Sequence, residues 1–171
     1  MTALKEFIIP IEGLSVGMHQ FDFQIDGEFF THFEASPVKD GNFNLVLHFD
    51  KRPDMLVLTF DLTGTFKTDC ERCLENIDLP VTDSLQLIIK YSDDAQKEDE
   101  IIYIPQETKM LNVAKYAYES VILAIPIIKN CDEIDDPPCN DKMLDYLDKS
   151  EEEKEKTENP IWEALKKFNK K

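Results

Sequence analysis

The chain has 171 residues, 42% hydrophobic and 10% aromatic, with 35 acidic against 19 basic side chains and a formal net charge of −16. That length and apolar content support one folded body with a tail and exclude a largely disordered chain. So negative a surface repels phosphate, which excludes general nucleic-acid binding by the whole body and suits a basic protein partner.

No leader or membrane span is expected. Residues 1–10 hold no long apolar region and no small-residue cleavage site, and the longest apolar run, 121–128, is short and contains Pro126. The expected location is the cytoplasm, where thiols stay reduced and structural disulfides are disfavoured.

In chain order, residues 5–11 form a short apolar run that reads as a strand. Residues 19–25 alternate apolar and polar, the period of a half-buried strand. Phe29, Phe30 and Phe33 are spaced like one face of a short helix, closed by Pro37 and the turn at 39–42. A clear hairpin follows. Phe43, Leu45, Leu47 and Phe49 share one face, residues 51–54 turn the chain, and Leu56, Leu58, Phe60, Leu62 and Phe66 share a face on the return. Gly64 interrupts that row and predicts a bulge or a close backbone approach. Ile77, Leu79, Val81, Leu85, Leu87, Ile89 and Tyr91 continue the sheet. Pro80 predicts an edge position or a break, and the irregularity at Asp83 and Ser84 predicts a bulge. Residues 92–100 form an acidic loop, and residues 101–104 are a candidate further strand.

The period then changes. Asn112 is a candidate cap for a helix over residues 113–125, whose broad apolar stripe suits packing on a sheet and which Pro126 ends. Residues 128–158 carry 12 Asp and Glu against 5 Lys. They read as a loop, a short helix over 142–149 and a charged linker. From Asn159-Pro160 the sign reverses. Ile161, Trp162, Leu165 and Phe168 fall on one side of a helical pattern, while Lys166, Lys167, Lys170 and Lys171 outnumber Glu163.

The expected fold is therefore α+β: a mainly meander antiparallel sheet, barrel-like closure being one arrangement of it, with one packed helix and a short C-terminal amphipathic helix. The expected organisation is a sheet-plus-helix core over 1–130, an acidic loop, short helix and linker over 131–158, and a basic tail over 159–171.

The chemistry-bearing residues centre on the cysteines. Cys70-Glu71-Arg72-Cys73 is a C-x-x-C between two strands, a spacing that presents two thiolates to one zinc ion with backbone N–H groups pointing at sulfur. Cys131 and Cys139 are the candidate second pair, although their spacing is wider than the usual two to four residues. Reduced thiols, buried or idle, are the competing reading. A redox C-x-x-C belongs at a strand-to-helix junction, and the acidic neighbours Asp69, Glu71 and Glu75 disfavour a thiolate. No phosphate loop, nucleophile elbow or zinc-protease helix occurs, so no enzyme is expected. The candidate binding residues are Arg72 at the turn and Trp162, Lys166, Lys167, Lys170 and Lys171 in the tail. The tail either docks on the protein itself or binds a partner groove or an RNA backbone.

Three stretches, in matching order, resemble the YceD family of bacterial and plastid proteins: Asp69-Cys70-Glu71-Arg72-Cys73-Leu74, then Tyr118-Glu119-Ser120-Val121-Ile122-Leu123-Ala124-Ile125-Pro126, then Asn159-Pro160-Ile161-Trp162-Glu163-Ala164-Leu165-Lys166-Lys167-Phe168. The Phe-rich N-terminal half is similar to the Bacteroidetes branch of that family. Two departures stand out. The G-L-C-x-x-C-G run of many members is missing after the helix, leaving Cys131 and Cys139 alone, and Asn159 and Ile161 replace the usual Asp and Arg of the terminal motif. The resemblance implies a non-enzymatic role in accumulation or assembly of the large-subunit (23S) rRNA. The expected partners are a basic large-subunit ribosomal protein or a pre-50S particle, with rRNA reached through the tail. No cofactor is required by this reading, beyond a structural zinc ion if the four cysteines close a site. No membrane or small-molecule partner is expected. A zinc-stabilised protein–protein adaptor unrelated to rRNA is the alternative, and an rRNA-processing nuclease a further one.

Overall fold

The element that fixes the architecture is the hairpin read most directly from the sequence. The structure, a computed structural model, describes residues 4–34, 36–92 and 101–147. β1 (Ile8–Pro10), β2 (Gly17–Ile25), β3 (Gly41–Lys51), β4 (Met55–Asp69), β5 (Asn76–Tyr91), β6 (Ile101–Ile104) and β7 (Met110–Asn112) are accompanied by helices α1 (Gly27–Phe30) and α2 (Ala114–Ala124). The architecture is α+β. Its main sheet has the order β2-β3-β4-β5-β6, and β1 pairs with β7 in a separate two-stranded sheet.

Strict alternation sets the register. Leu45 lies opposite Leu62, Leu47 opposite Phe60 and Phe49 opposite Leu58, so a slip of one residue would turn every one of them to the other face. Leu45, Leu47, Phe49, Leu58, Phe60 and Leu62 are completely buried. β2 adds to the antiparallel ladder, with Phe23 opposite Leu45 and Ile25 opposite Phe43. The Arg52 N–H donates to the Met55 carbonyl at 2.9 Å and closes the β3–β4 turn where it is expected.

Gly64 resolves as a close approach. It lies opposite Phe43, and a Cβ there would fall against the Asn42 carbonyl oxygen and 2.7 Å from the Phe43 Cα. Pro80 also finds the expected edge, because β6 covers only Ile88 to Tyr91 and leaves the Pro80 stretch of β5 outermost among the described residues.

Three expectations need correction. The sheet is open and does not close into a barrel, since β2 and β6 stand at its two ends. The strands are neighbours in chain order, as a mainly meander sheet requires, but the sheet is mixed and not wholly antiparallel, because β6 runs parallel to β5. The bulge expected at Asp83 and Ser84 is missing. β5 is continuous over 16 residues, and its buried positions, Ile77, Leu79, Val81 and Ile89, stay in phase across Asp83. A bulge would have shifted that phase by one. Asp83 takes an inward position that is only half-buried, which a carboxylate tolerates without a register change.

Asp26 caps α1, its Oδ1 accepting from the Glu28 N–H at 2.9 Å and the Phe29 N–H at 3.4 Å. That turn feeds an aromatic cluster: Phe29 packs 5.0 Å from Phe7, and Phe33 stacks on Tyr118 of α2 at 4.1 Å. Asn112 acts one residue earlier than a regular cap, accepting from the Ala114 N–H at 2.9 Å, and Ile125 leaves the helix in an extended conformation ahead of Pro126.

The chain divides into two units. One combines Met1–Thr68 with Asp78–Lys129, and the other Asp69–Ile77 with the chain from Asn130 onward. The first holds the sheet and α2. The second joins the C-x-x-C turn to a segment that opens with a 3-10 turn, Cys131–Glu133, and continues into a helical stretch over residues 141–147. The expected helix over 142–149 overlaps that stretch. The linker after residue 147 and the basic tail lie outside the described residues.

Candidate functional site

The second unit carries the cysteines, and its local structure shows how. β4 ends at Asp69, and the Cys70 N–H donates to the Glu75 carbonyl at 2.8 Å to close the turn. Inside it the Leu74 N–H donates to the Cys70 carbonyl at 2.9 Å, winding one tight turn that carries both thiols. Leu74 leaves that turn at φ 59°, the one non-glycine with positive φ among the described residues. A branched side chain is disfavoured there by about 1–2 kcal/mol. The N–H groups of Arg72 and Cys73 both point at the Cys70 Sγ, at 3.4 and 3.5 Å.

The other side of the cluster starts at Asn130. Its side chain accepts from the Asp132 N–H at 3.1 Å and starts the 3-10 turn, which aims Cys131 at the C-x-x-C. The Cys131 and Cys73 sulfurs are 3.4 Å apart, and the sulfurs of Cys70, Cys73 and Cys131 all lie within 4.8 Å of one another. All three residues are fully buried, and none of the four cysteines is in a disulfide. Cys139 is half-buried at the rim. Its N–H donates to the Pro137 carbonyl at 2.8 Å, a γ-turn whose central residue, Pro138, has its φ fixed by the ring. Cys139 lies near enough to Cys131 and Arg72 to add to the upward shift of both, but its sulfur is not part of the 4.8 Å group.

Electrostatics differ sharply within the cluster. Burial pushes the Cys70 thiol up, but the Cys73 and Arg72 N–H groups, with the Cys131 and Cys73 thiols, outweigh it and hold Cys70 at about 7. Burial likewise pushes the Cys131 thiol up, and hydrogen bonding to the other cysteines adds to the rise. One thiol is thus ready to ionise beside one that is not.

The structure brings three of the four sequence-predicted cysteines together and sets the fourth at their edge. Arg72 is already engaged: its Nη2 and Nη1 fork onto Asp132 at 2.8 and 3.3 Å. Trp162, Lys166, Lys167, Lys170 and Lys171 lie outside the described residues. Sequence reasoning missed Asn130, Asp132 and Leu74. The signal for the first two was present as Asn130-Cys131-Asp132, an Asx turn immediately before a cysteine.

In the first unit a groove of about 810 Å³ lies between Ile11, Lys51, Arg52, Tyr91 and Lys109. Its cations are occupied. Lys51 donates to the Ile11 and Leu14 carbonyls, Arg52 pairs with Asp50, and Lys109 pairs with Glu12. The histidines do not meet there: His19 bonds the Ser15 carbonyl, and His48 pairs with Asp61 at 3.2 Å.

Fold and site together define a small α+β protein with an open mixed sheet and a thiol-lined turn. A family model described as large ribosomal RNA subunit accumulation protein YceD matches residues 58–169, a span holding the turn, α2 and all four cysteines. The chain belongs to the YceD family. Neither curated protein sequences nor solved structures give a match. No helix among the described residues is long and apolar enough to cross a membrane.

Proposed function

We propose that this protein supports accumulation of the large-subunit rRNA as a non-enzymatic assembly factor in the cytoplasm, binding a basic large-subunit ribosomal protein or a precursor particle. The observation that carries this reading is the family match over residues 58–169. Charge supports the choice of partner. With a net charge of −16 over the whole chain, the acidic body attracts the basic proteins of the ribosome and repels bare phosphate. The basic stretch from Asn159, with four Lys against one Glu, is where rRNA phosphate would be met, in a weak and salt-sensitive contact.

Gradient sedimentation of lysate tests this. The protein is expected to travel with large-subunit precursors, and its deletion to lower large-subunit rRNA relative to small-subunit rRNA. A protein found only at the top of the gradient, with an unchanged rRNA ratio on deletion, would overturn the reading. Pull-down of the full chain beside one cut before Asn159, with RNA and protein identified, separates the two contacts. Loss of RNA with retention of a ribosomal protein is the expected result.

A further inference from the structure

We propose that Cys70, Cys73, Cys131 and Cys139 hold one structural zinc ion, which ties the β4–β5 turn to the segment that follows Asn130. This inference stands apart from the ribosomal reading and rests on the geometry of the second unit.

Zinc bound by thiolates has Zn–S bonds of about 2.3 Å, which places tetrahedral sulfurs about 3.8 Å apart. Three buried sulfurs that all lie within 4.8 Å of one another, one pair at 3.4 Å, need only small shifts to meet that spacing. The contact is far longer than the ~2.05 Å of a disulfide, and a disulfide uses two sulfurs and leaves the third buried without a role. The turn is shaped for ligation. It brings both of its thiols to one side, donates two N–H groups to the Cys70 sulfur, and holds Leu74 in the left-handed region to do so. N–H donors of this kind are the outer shell that stabilises a metal-bound thiolate.

The fourth ligand comes from the rim. Cys139 is presented by the γ-turn at Pro138 and is half-buried; its sulfur stands outside the 4.8 Å group and has to move in to complete the tetrahedron. On binding, the four thiols lose their protons to solvent, and Zn²⁺ with four thiolates carries a net charge of −2. The Arg72 guanidinium, beside Cys139 and forked onto Asp132, is the cation that offsets part of that charge. A four-thiolate tetrahedron has no open position, so the ion is structural and takes no substrate.

The test uses the full chain purified without chelators under reducing conditions. Elemental analysis is expected to give about one zinc per chain. Cobalt(II) exchange is expected to give the intense thiolate charge-transfer and d–d bands of a tetrahedral four-sulfur site. Stripping with a competing chelator is expected to open the four thiols to alkylation. The Cys70→Ser and Cys131→Ser variants disturb buried positions and risk misfolding, so Cys139→Ser at the rim is the decisive variant. It is expected to fold, to weaken zinc affinity about ten-fold or more, and to change the cobalt spectrum to that of three sulfurs. Zinc below about a tenth of an equivalent after remetallation would overturn the proposal. So would iron in its place, or a Cys73–Cys131 disulfide in the reduced preparation by mass spectrometry. An unchanged affinity in Cys139→Ser would overturn the four-ligand assignment.

Discussion

Arg72 and Asp132 stand 60 residues apart in sequence, yet their side chains meet in a two-point fork, Nη2 to Oδ1 at 2.8 Å and Nη1 to Oδ2 at 3.3 Å. The planar guanidinium matches both carboxylate oxygens, which a lysine ammonium does not do. The Asp132 carboxylate raises the Arg72 pKa further, first through its charge and then through the hydrogen bonds. The pair links the C-x-x-C turn to the residue after Cys131.

Both partners are substantially exposed, so the fork orients more than it stabilises. Arg72→Lys and Asp132→Asn are each expected to lower the melting temperature by about 2 °C or less. The larger effect is expected in limited proteolysis, with faster cleavage near residues 130–140. Identical cleavage patterns in wild type and both variants would count against a positioning role for the pair.

Gly64 is expected to tolerate no side chain. A methyl group there meets the Asn42 carbonyl and the Phe43 backbone, which cannot yield as the end of a flexible side chain does. Gly64→Ala is expected to cost about 3 kcal/mol, read as a lower denaturant midpoint with an unchanged slope. A midpoint within error of wild type would show that the two strands separate there at little cost.

Burial separates two further variants. Phe60 is completely buried, and Phe60→Ala is expected to cost about 3–5 kcal/mol, a large share of a typical domain's stability. Ile127 is 94% exposed, and Ile127→Ser is expected to change stability by about 0.5 kcal/mol or less. Equal losses in the two variants would mean that Ile127 is covered in solution.

Lys51 is the strut of the loop after β1. Its ammonium donates to the Ile11 and Leu14 carbonyls, both at 2.8 Å. Lys51→Met keeps the aliphatic stem and removes both bonds, with an expected loss of about 1–3 kcal/mol. Faster amide exchange over residues 11–16 is the local sign of that loss. Unchanged exchange there would show that the loop holds without the strut.

The legible parts of the fold are those where burial alternates strictly. The β3–β4 hairpin shows it best, since Phe43 to Phe49 and Leu56 to Leu62 give the strands, the inward face and the turn at once. β7 and the partner of β1 were not legible, because three residues such as Met110–Asn112 are too few to show a period. The direction of β6 was hidden for a related reason. Ile101–Ile104 is apolar throughout and half-buried at every position, and residues 92–100 are fewer than the dozen or so that join most parallel strands. At the cluster, the spacing of Cys131 and Cys139 argued against a pair of ligands. The physical pairing is instead between Cys131 and Cys73, a tertiary contact that no local spacing reports.

The second unit is drawn from two separated stretches, and this sets an order of events during synthesis. Cys73 leaves the ribosome 58 residues before Cys131. At about 5–20 residues per second, the new hairpin waits about 3–12 s with its dithiol uncovered. During that interval the Cys70–Cys73 dithiol is open to metal capture or to oxidation before Cys131 arrives to cover it. The speed of translation through residues 74–130 therefore bears directly on how faithfully this corner of the molecule matures.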